Sequence, residues 1–253
     1  MKPLEQALKV VAGSDTVLVA SDYDGTLAPI VADPDHAFPD ARALAALVSL
    51  GALSGTHVAM LSGREVAVLE RLTGSVPGVE LVGSHGAEQS GRGPDIEAQA
   101  REDLAGVRVR LAGLCRDFPG SHLEVKPAGV AFHYRRVDAE HRPAARAAAH
   151  RIGLDYAGLT VLEGKQVVEV TGSTANKGDA LLALRDRWAA DVVVFIGDDI
   201  TDEDAFATLR PLDVGIKVGD GATKARFQIG DQAQVATVLE SLLAFRQEHR
   251  GVR

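Results

Sequence analysis

Two acidic segments far apart in the chain carry the residues best suited to chemistry. The first is Asp22-Tyr23-Asp24-Gly25-Thr26-Leu27, directly after an apolar run. Carboxylates at i and i+2 point to the same side of an extended chain, and Gly25 lets the chain turn sharply behind them. Two acids so placed repel each other, and invite a cation or a shared proton. The competing reading is a polar loop whose aspartates cap turns. A calcium loop of the helix–loop–helix type fits poorly, because its glycine would stand two positions later and a glutamate would close it. The second segment is Gly197-Asp198-Asp199-Ile200-Thr201-Asp202-Glu203-Asp204. Thr201 and Asp204 have capping-box spacing, and acids favour a first helical turn, which accounts for Asp202 to Asp204. That leaves Asp198 and Asp199, ahead of the cap, without a structural task. If the two segments meet, they offer oxygen ligands with no His or Cys nearby in sequence, a donor set that suits Mg²⁺ over zinc.

Two further segments add the parts of an anion site. Leu61-Ser62-Gly63-Arg64-Glu65 follows an apolar run and opens a helical pattern, so the Ser62 hydroxyl and nearby N–H groups could receive an anion. The same spacing predicts that Ser62 caps that helix with Glu65 three residues on. Asn176-Lys177-Gly178-Asp179 opens another helix, and Lys177 would bring positive charge to the same edge.

These residues need a scaffold that gathers them. Apolar, nearly continuous runs at 16–20, 57–61, 79–82, 192–196 and 214–218 read as strands buried on both faces. Helical patterns at 39–50, 65–72, 177–189 and 202–209 alternate with them, which predicts a parallel sheet with helices on both sides and ligands beyond the strands' carboxyl ends. The middle of the chain breaks this rhythm. A helix over 102–118, a hairpin of 122–126 with 130–136, a helix over 138–152 and a hairpin of 160–162 with 166–170 give an αββαββ order. Consecutive hairpins mean antiparallel pairing, hence a separate small α+β sheet inserted into the parallel domain. The expected division is a core of 1–100 and 172–253 around an insert of 101–171, entered through 90–95 and left through 171–174. Within the insert, alternation puts Glu124 with Lys126, His133 with Arg135, and Lys165 with Glu169 on shared strand faces. Such a mixed-charge face suits a ligand rich in hydroxyls, unless it is merely solvated.

Composition narrows the partners. The chain has 253 residues, with 27 Lys and Arg against 35 Asp and Glu and a formal net charge of −8. That balance opposes a broad nucleic-acid surface. The only cysteine is Cys115, so no intrachain disulfide forms and a reducing compartment is expected. The first residues are amphipathic and short, unlike a signal peptide, and no run approaches the ~20 apolar residues of a membrane helix. The expectation is a cytoplasmic protein acting on a small molecule, with no membrane or nucleic-acid partner.

The ordered series Asp-x-Asp-Gly-Thr, Ser-Gly-Arg, Lys-Gly and Gly-Asp-Asp-x-x-Asp resembles the haloacid-dehalogenase-like phosphatase superfamily. Ser84-His85-Gly86-Ala87-Glu88, Glu124-Val125-Lys126, Phe132-His133-Tyr134-Arg135, Glu163-Gly164-Lys165 and Glu169 bring it nearest to the trehalose-6-phosphate phosphatase family. The resemblance implies a Rossmann-like α/β core with a sugar-phosphatase type of cap, and Mg²⁺-dependent hydrolysis of trehalose 6-phosphate. It makes Asp22 the nucleophile and Asp24 the general acid and base. Mg²⁺ would be held by Asp22, the Asp24 carbonyl and Asp198, with Asp199 and Asp202 orienting waters or Lys177. Ser62 and Lys177 would hold the phosphoryl oxygens. Glu124, Lys126, Arg135, Lys165 and Glu169 would bind the sugar between cap and core. A functional pairing with a trehalose-phosphate-forming synthase is raised by the family but not decided by the residues. The alternatives are a phosphatase of sucrose phosphate or a mannosyl phosphate, a phosphomannomutase, a signalling receiver and a silent sugar-phosphate sensor. The insert and the Asp-Gly-Thr sequence oppose the receiver, and the full set Asp22, Asp24, Lys177 and Asp198 opposes the sensor.

Overall fold

A computed structural model of the protein describes residues 2–31, 33–89, 96–164 and 166–251. The expected entry segment 90–95 and the candidate residue Lys165 lie outside them. In chain order the first elements are α1 (Lys2–Ala12), β1 (Val17–Ser21), α2 (Ala41–Gly51), β2 (Thr56–Leu61), α3 (Val66–Thr73), β3 (Val79–Gly83) and β4 (Glu88–Gln89). There follow α4 (Ala98–Asp117), β5 (His122–Lys126), β6 (Gly129–His133), α5 (Arg142–Leu154), β7 (Thr160–Gly164) and β8 (Val167–Thr171). The chain ends with α6 (Lys177–Arg187), β9 (Val192–Gly197), α7 (Asp202–Thr208), β10 (Val214–Val218), β11 (Phe227–Ile229) and α8 (Ala233–Gly251). The chain divides into two compact units, 1–91 with 175–253, and 92–174.

The first unit is built on a seven-stranded sheet of order β11-β10-β9-β1-β2-β3-β4, parallel except where β4 pairs antiparallel to β3. Every residue of β1, β9 and β10 is buried, because apolar side chains on both faces leave neither face to water. Alternation divides them between two cores. Val17 and Val19 join the core that includes Leu4 and Leu8 of α1, Leu47 of α2 and Leu239 of α8, while Leu18 and Ala20 join Leu181 of α6 and Phe206 of α7. α2 starts two residues later than the pattern predicts, because Pro39 precedes a capping Asp40 whose carboxylate accepts from the N–H groups of Arg42 and Ala43. Register puts Ser21 opposite both Met60 and Ile196, so Asp22, Ser62 and the residues after β9 emerge at one sheet edge.

The second unit is a four-stranded antiparallel sheet of order β5-β6-β8-β7 with α4 and α5 against one face. Val130, Phe132, Val168 and Val170 share that face and are buried under Leu104, Val107 and Leu111 of α4 and Ala145 and Ala149 of α5. α5 begins at Arg142, four residues beyond the expected start, with Pro143 in its first turn where the missing N–H costs nothing. Among the described residues no helix is long and apolar enough to cross a membrane.

Candidate active site

The backbone after β1 is shaped for close approach. The Asp22 N–H donates to the Ile196 carbonyl inside β9, continuing the pairing one residue past the end of β1. The chain then folds back on itself, with Leu27 N–H and Ala28 N–H donating to the Tyr23 carbonyl and Gly25 N–H to that of Ala28. Gly25 is left-handed at φ 81°. A Cβ there would lie 2.1 Å from an Asp198 carboxylate oxygen, so only glycine lets the second acidic segment reach the first.

Carboxylate oxygens of Asp22, Asp198 and Asp202 lie within 4.8 Å of one another. Lys177, buried at the start of α6, donates to Asp22 Oδ1 at 2.5 Å and to Asp202 Oδ1 at 2.8 Å. Asn176 caps that helix by accepting from Asp179 N–H, which sets the Lys177 backbone in place. Burial pushes the Asp22 carboxyl well above the usual carboxylate range; Lys177 opposes the rise, and Asp202 and Asp198 add to it. Asp198 is raised too, by burial first. Burial alone would lower the Lys177 ammonium, but Asp22 and Asp202 together hold it above its ordinary value. Even with the ammonium groups of Lys177 and Lys217 beside them, three crowded carboxylates leave negative charge for a cation to neutralise. The donor set is oxygen throughout, which fits Mg²⁺ and gives zinc none of its preferred nitrogen or sulfur.

The remaining core residues divide. The carboxylate of Asp24 is not in the cluster. It accepts from Arg64 Nε at 2.7 Å and Nη2 at 2.6 Å, while Arg64 Nη1 donates to the Pro34 carbonyl at 2.9 Å. Ser62 is buried just past β2, its N–H donating to the Val82 carbonyl. It does not cap α3. Its hydroxyl accepts from Arg64 N–H at 3.1 Å, and the helix begins only at Val66, whose N–H is taken by Glu88 from the far side of β3. The expected box at Thr201 is also absent. Thr201 makes no side-chain cap, and Asp202 instead accepts from the N–H groups of Asp198 and Asp199 at 2.9 Å each. Asp199 is exposed. Sequence reasoning gave no task to Thr26, whose hydroxyl donates to Asp198 Oδ1 at 3.4 Å, nor to Arg64, nor to Lys217 on β10. Thr26 and Arg64 stood inside recognised motifs; Lys217 was signalled by a charge inside an apolar run.

In the second unit the face opposite the helices brings four polar side chains together. Lys126 donates to Glu169 at 2.6 Å across β5, β6 and β8, and His133 bonds Glu124 at 2.8 Å. The His122 and His133 rings stack at 4.6 Å. Arg135 does not share the strand with His133. β6 ends at His133 and Arg135 stands exposed in the turn beyond it. A separate cavity of about 530 Å³ between α4 and the β5–β6 hairpin is lined by Arg101, Arg108 and Lys126 among apolar side chains.

Comparison with known proteins places the chain. The family model described as trehalose-phosphatase matches residues 20–236. The chain is 39% identical over 259 residues to the trehalose-phosphate phosphatase of Mycobacterium ulcerans, a match covering 93% of this chain and 65% of that protein. It is 38% identical over 232 residues to the bifunctional trehalose-6-phosphate synthase/phosphatase of Thermoproteus tenax, covering 89% of this chain and 32% of that one. The chain thus spans about two thirds of the first relative and about a third of the second. Among solved structures, the C-terminal domain of trehalose-6-phosphate phosphatase from C. albicans superposes with a TM-score of 0.78 at 26% identity, covering 95% of this chain and 97% of that one.

Proposed function

The chain belongs to the trehalose-phosphatase family, and on that premise we propose that it hydrolyses trehalose 6-phosphate to trehalose and inorganic phosphate, as a Mg²⁺-dependent phosphatase with an aspartyl-phosphate intermediate. The observation that carries the reading is the buried contact of Lys177 with Asp22, set against Asp198 and Asp202 at the carboxyl edge of a parallel sheet. A carboxylate in that place has a cation to orient it and a helix start beside it for an anion.

In the first step an Asp22 oxygen attacks phosphorus as the bond to the sugar oxygen breaks. Asp24 gives a proton to that oxygen, and trehalose leaves as the neutral alcohol. Asp24, now a carboxylate, takes a proton from a water whose oxygen attacks the same phosphorus; the bond to Asp22 breaks and phosphate departs. Both Asp24 oxygens rest on Arg64 in the structure, so each transfer requires that carboxyl to turn from the guanidinium. Lys177 and the Ser62 hydroxyl hold phosphoryl oxygens while charge redistributes over them. Asp22, the Asp24 carbonyl and Asp198 would hold Mg²⁺, which when bound supplies the charge that lets an anionic nucleophile meet an anionic substrate.

Selection of the sugar belongs to the second unit, through Glu124, Lys126, Arg135, Lys165 and Glu169. The paired Lys126–Glu169 and His133–Glu124 groups support that role, since each can exchange its partner for a sugar hydroxyl. A functional pairing with a trehalose-phosphate-forming synthase is part of the same reading, supported by the Thermoproteus tenax relative whose name joins both activities. The lone Cys115 supports a reducing, cytoplasmic setting. Phosphate release should be measured on trehalose, sucrose, glucose and mannosyl phosphates in parallel, with Mg²⁺ and with a chelator. The expected result is metal-dependent release with the highest kcat/KM on trehalose 6-phosphate; another preferred sugar would overturn the substrate assignment.

A further inference from the structure

Lys217 is a charged residue in the middle of a buried strand, and it is only 6% exposed. Alternation along β10 sends Val214, Ile216 and Val218 into the core on one side of the sheet. Gly215 and Lys217 therefore face the other side, where Phe206 of α7 and Leu209 approach Gly215. The register of β10 with β9 sets Lys217 opposite Gly197, the residue before Asp198. From there the Lys217 ammonium donates to the backbone carbonyl of Asp198. The other side of the same turn is held by Asp202, which accepts from the N–H groups of Asp198 and Asp199. Gly197 makes room for this grip, since a Cβ there would lie 2.4 Å from the Asp202 carboxyl carbon. One buried anion thus fixes the N–H groups of the turn and one buried cation fixes its carbonyl. An ammonium taken from water at such depth costs several kcal/mol unless it is well compensated, and a neutral carbonyl is modest compensation.

We propose that Lys217 is a positioning residue for the metal-holding turn: its bond to the Asp198 carbonyl, opposed by the Asp202 grip on the N–H groups, aims the Asp198 carboxylate at Asp22. This rests on the reading of Asp198 as a metal ligand. Groups that orient ligands typically contribute 10–100-fold to metal affinity when removed. Lys217→Met keeps the length and packing of the side chain and deletes the donor, whereas Lys217→Arg keeps charge and donor.

The test is direct calorimetric titration of Mg²⁺ into the full chain without substrate, backed by the Mn²⁺ spin-resonance spectrum. Lys217→Met should bind Mg²⁺ at least ~10-fold more weakly, and its Mn²⁺ spectrum should show a less ordered site. Lys217→Arg should recover most of the affinity. With saturating Mg²⁺, KM for the sugar phosphate should change less than about 3-fold. Should Lys217→Met fail to fold, Lys217→Gln and Lys217→Arg make the same comparison, the glutamine binding more weakly than the arginine. Wild-type affinity in a folded methionine or glutamine variant overturns the role of Lys217. Absence of Mg²⁺ binding by the wild type would instead overturn the metal reading beneath it.

Discussion

The two units handle charge in opposite ways. In the parallel-sheet unit, Asp22, Lys177 and Asp202 are almost wholly removed from water, with Lys177 bonded to both carboxylates across long stretches of sequence. In the antiparallel unit the polar face is shallower. His133 and Glu124 keep 30% and 47% of their side-chain surface, with Lys126 and Glu169 between these extremes at 11% and 17%. Buried charges cannot reorganise cheaply, so they suit a reaction whose electrostatics must be ready beforehand. The half-exposed His133–Glu124 pair satisfies itself when alone and can trade partners for a ligand's hydroxyls at little cost, while Lys126 and Glu169 sit deeper yet keep more contact with water than Lys177. The contrast separates the residues proposed to act on phosphorus from those proposed to recognise sugar.

That contrast can be broken by stability measurements. Lys177→Met leaves the buried carboxylates of Asp22 and Asp202 without the cation that pairs with both, and should cost about 3–5 kcal/mol in urea unfolding. Glu124→Ala in the shallow face should cost less than about 1 kcal/mol. Equal costs would erase the distinction. A smaller effect sharpens it from the functional side. Lys126→Ala and Arg135→Ala should raise KM for the sugar phosphate roughly 10-fold, the worth of one charged hydrogen bond. KM for a small aryl phosphate should stay within about 2-fold. Similar changes on both substrates would remove the second unit from substrate selection.

Much of this was open to sequence reading because it follows from local pattern. The strands β1, β2, β9 and β10 announce themselves by unbroken apolar runs, and the parallel sheet follows from their alternation with helices. The meeting of Asp22 with Asp198 follows in turn from where those strands end. What pattern could not give depends on partners distant in sequence. Ser62 and Glu65 have the spacing of a capping box, yet the N–H of Val66 is satisfied by Glu88, which arrives only when β4 pairs with β3. Asp24 looks like a free carboxylate until Arg64 folds over it. The last turns of α8 hide their buried face because Arg246 takes an inward position there. It is fully buried, donating to the carbonyls of Ala12, Ser14 and Gly55 and to the Thr56 hydroxyl. β11 has three residues, too few for alternation to register. Lys217 reads as a blemish in a strand until its carbonyl partner is seen.

The central claim is that Asp22 carries the phosphoryl group between substrate and water. It is tested most directly by acid-quenching the enzyme within milliseconds of mixing with trehalose 6-phosphate and Mg²⁺, then mapping the modified peptide by mass. The expected result is one acid-stable, hydroxylamine-labile phosphoryl group on the peptide containing Asp22, and its loss in Asp22→Asn together with a fall in turnover of roughly 10⁴-fold or more. Phosphate release by Asp22→Asn at near the wild-type rate, with no phosphorylated peptide in either protein, would contradict it.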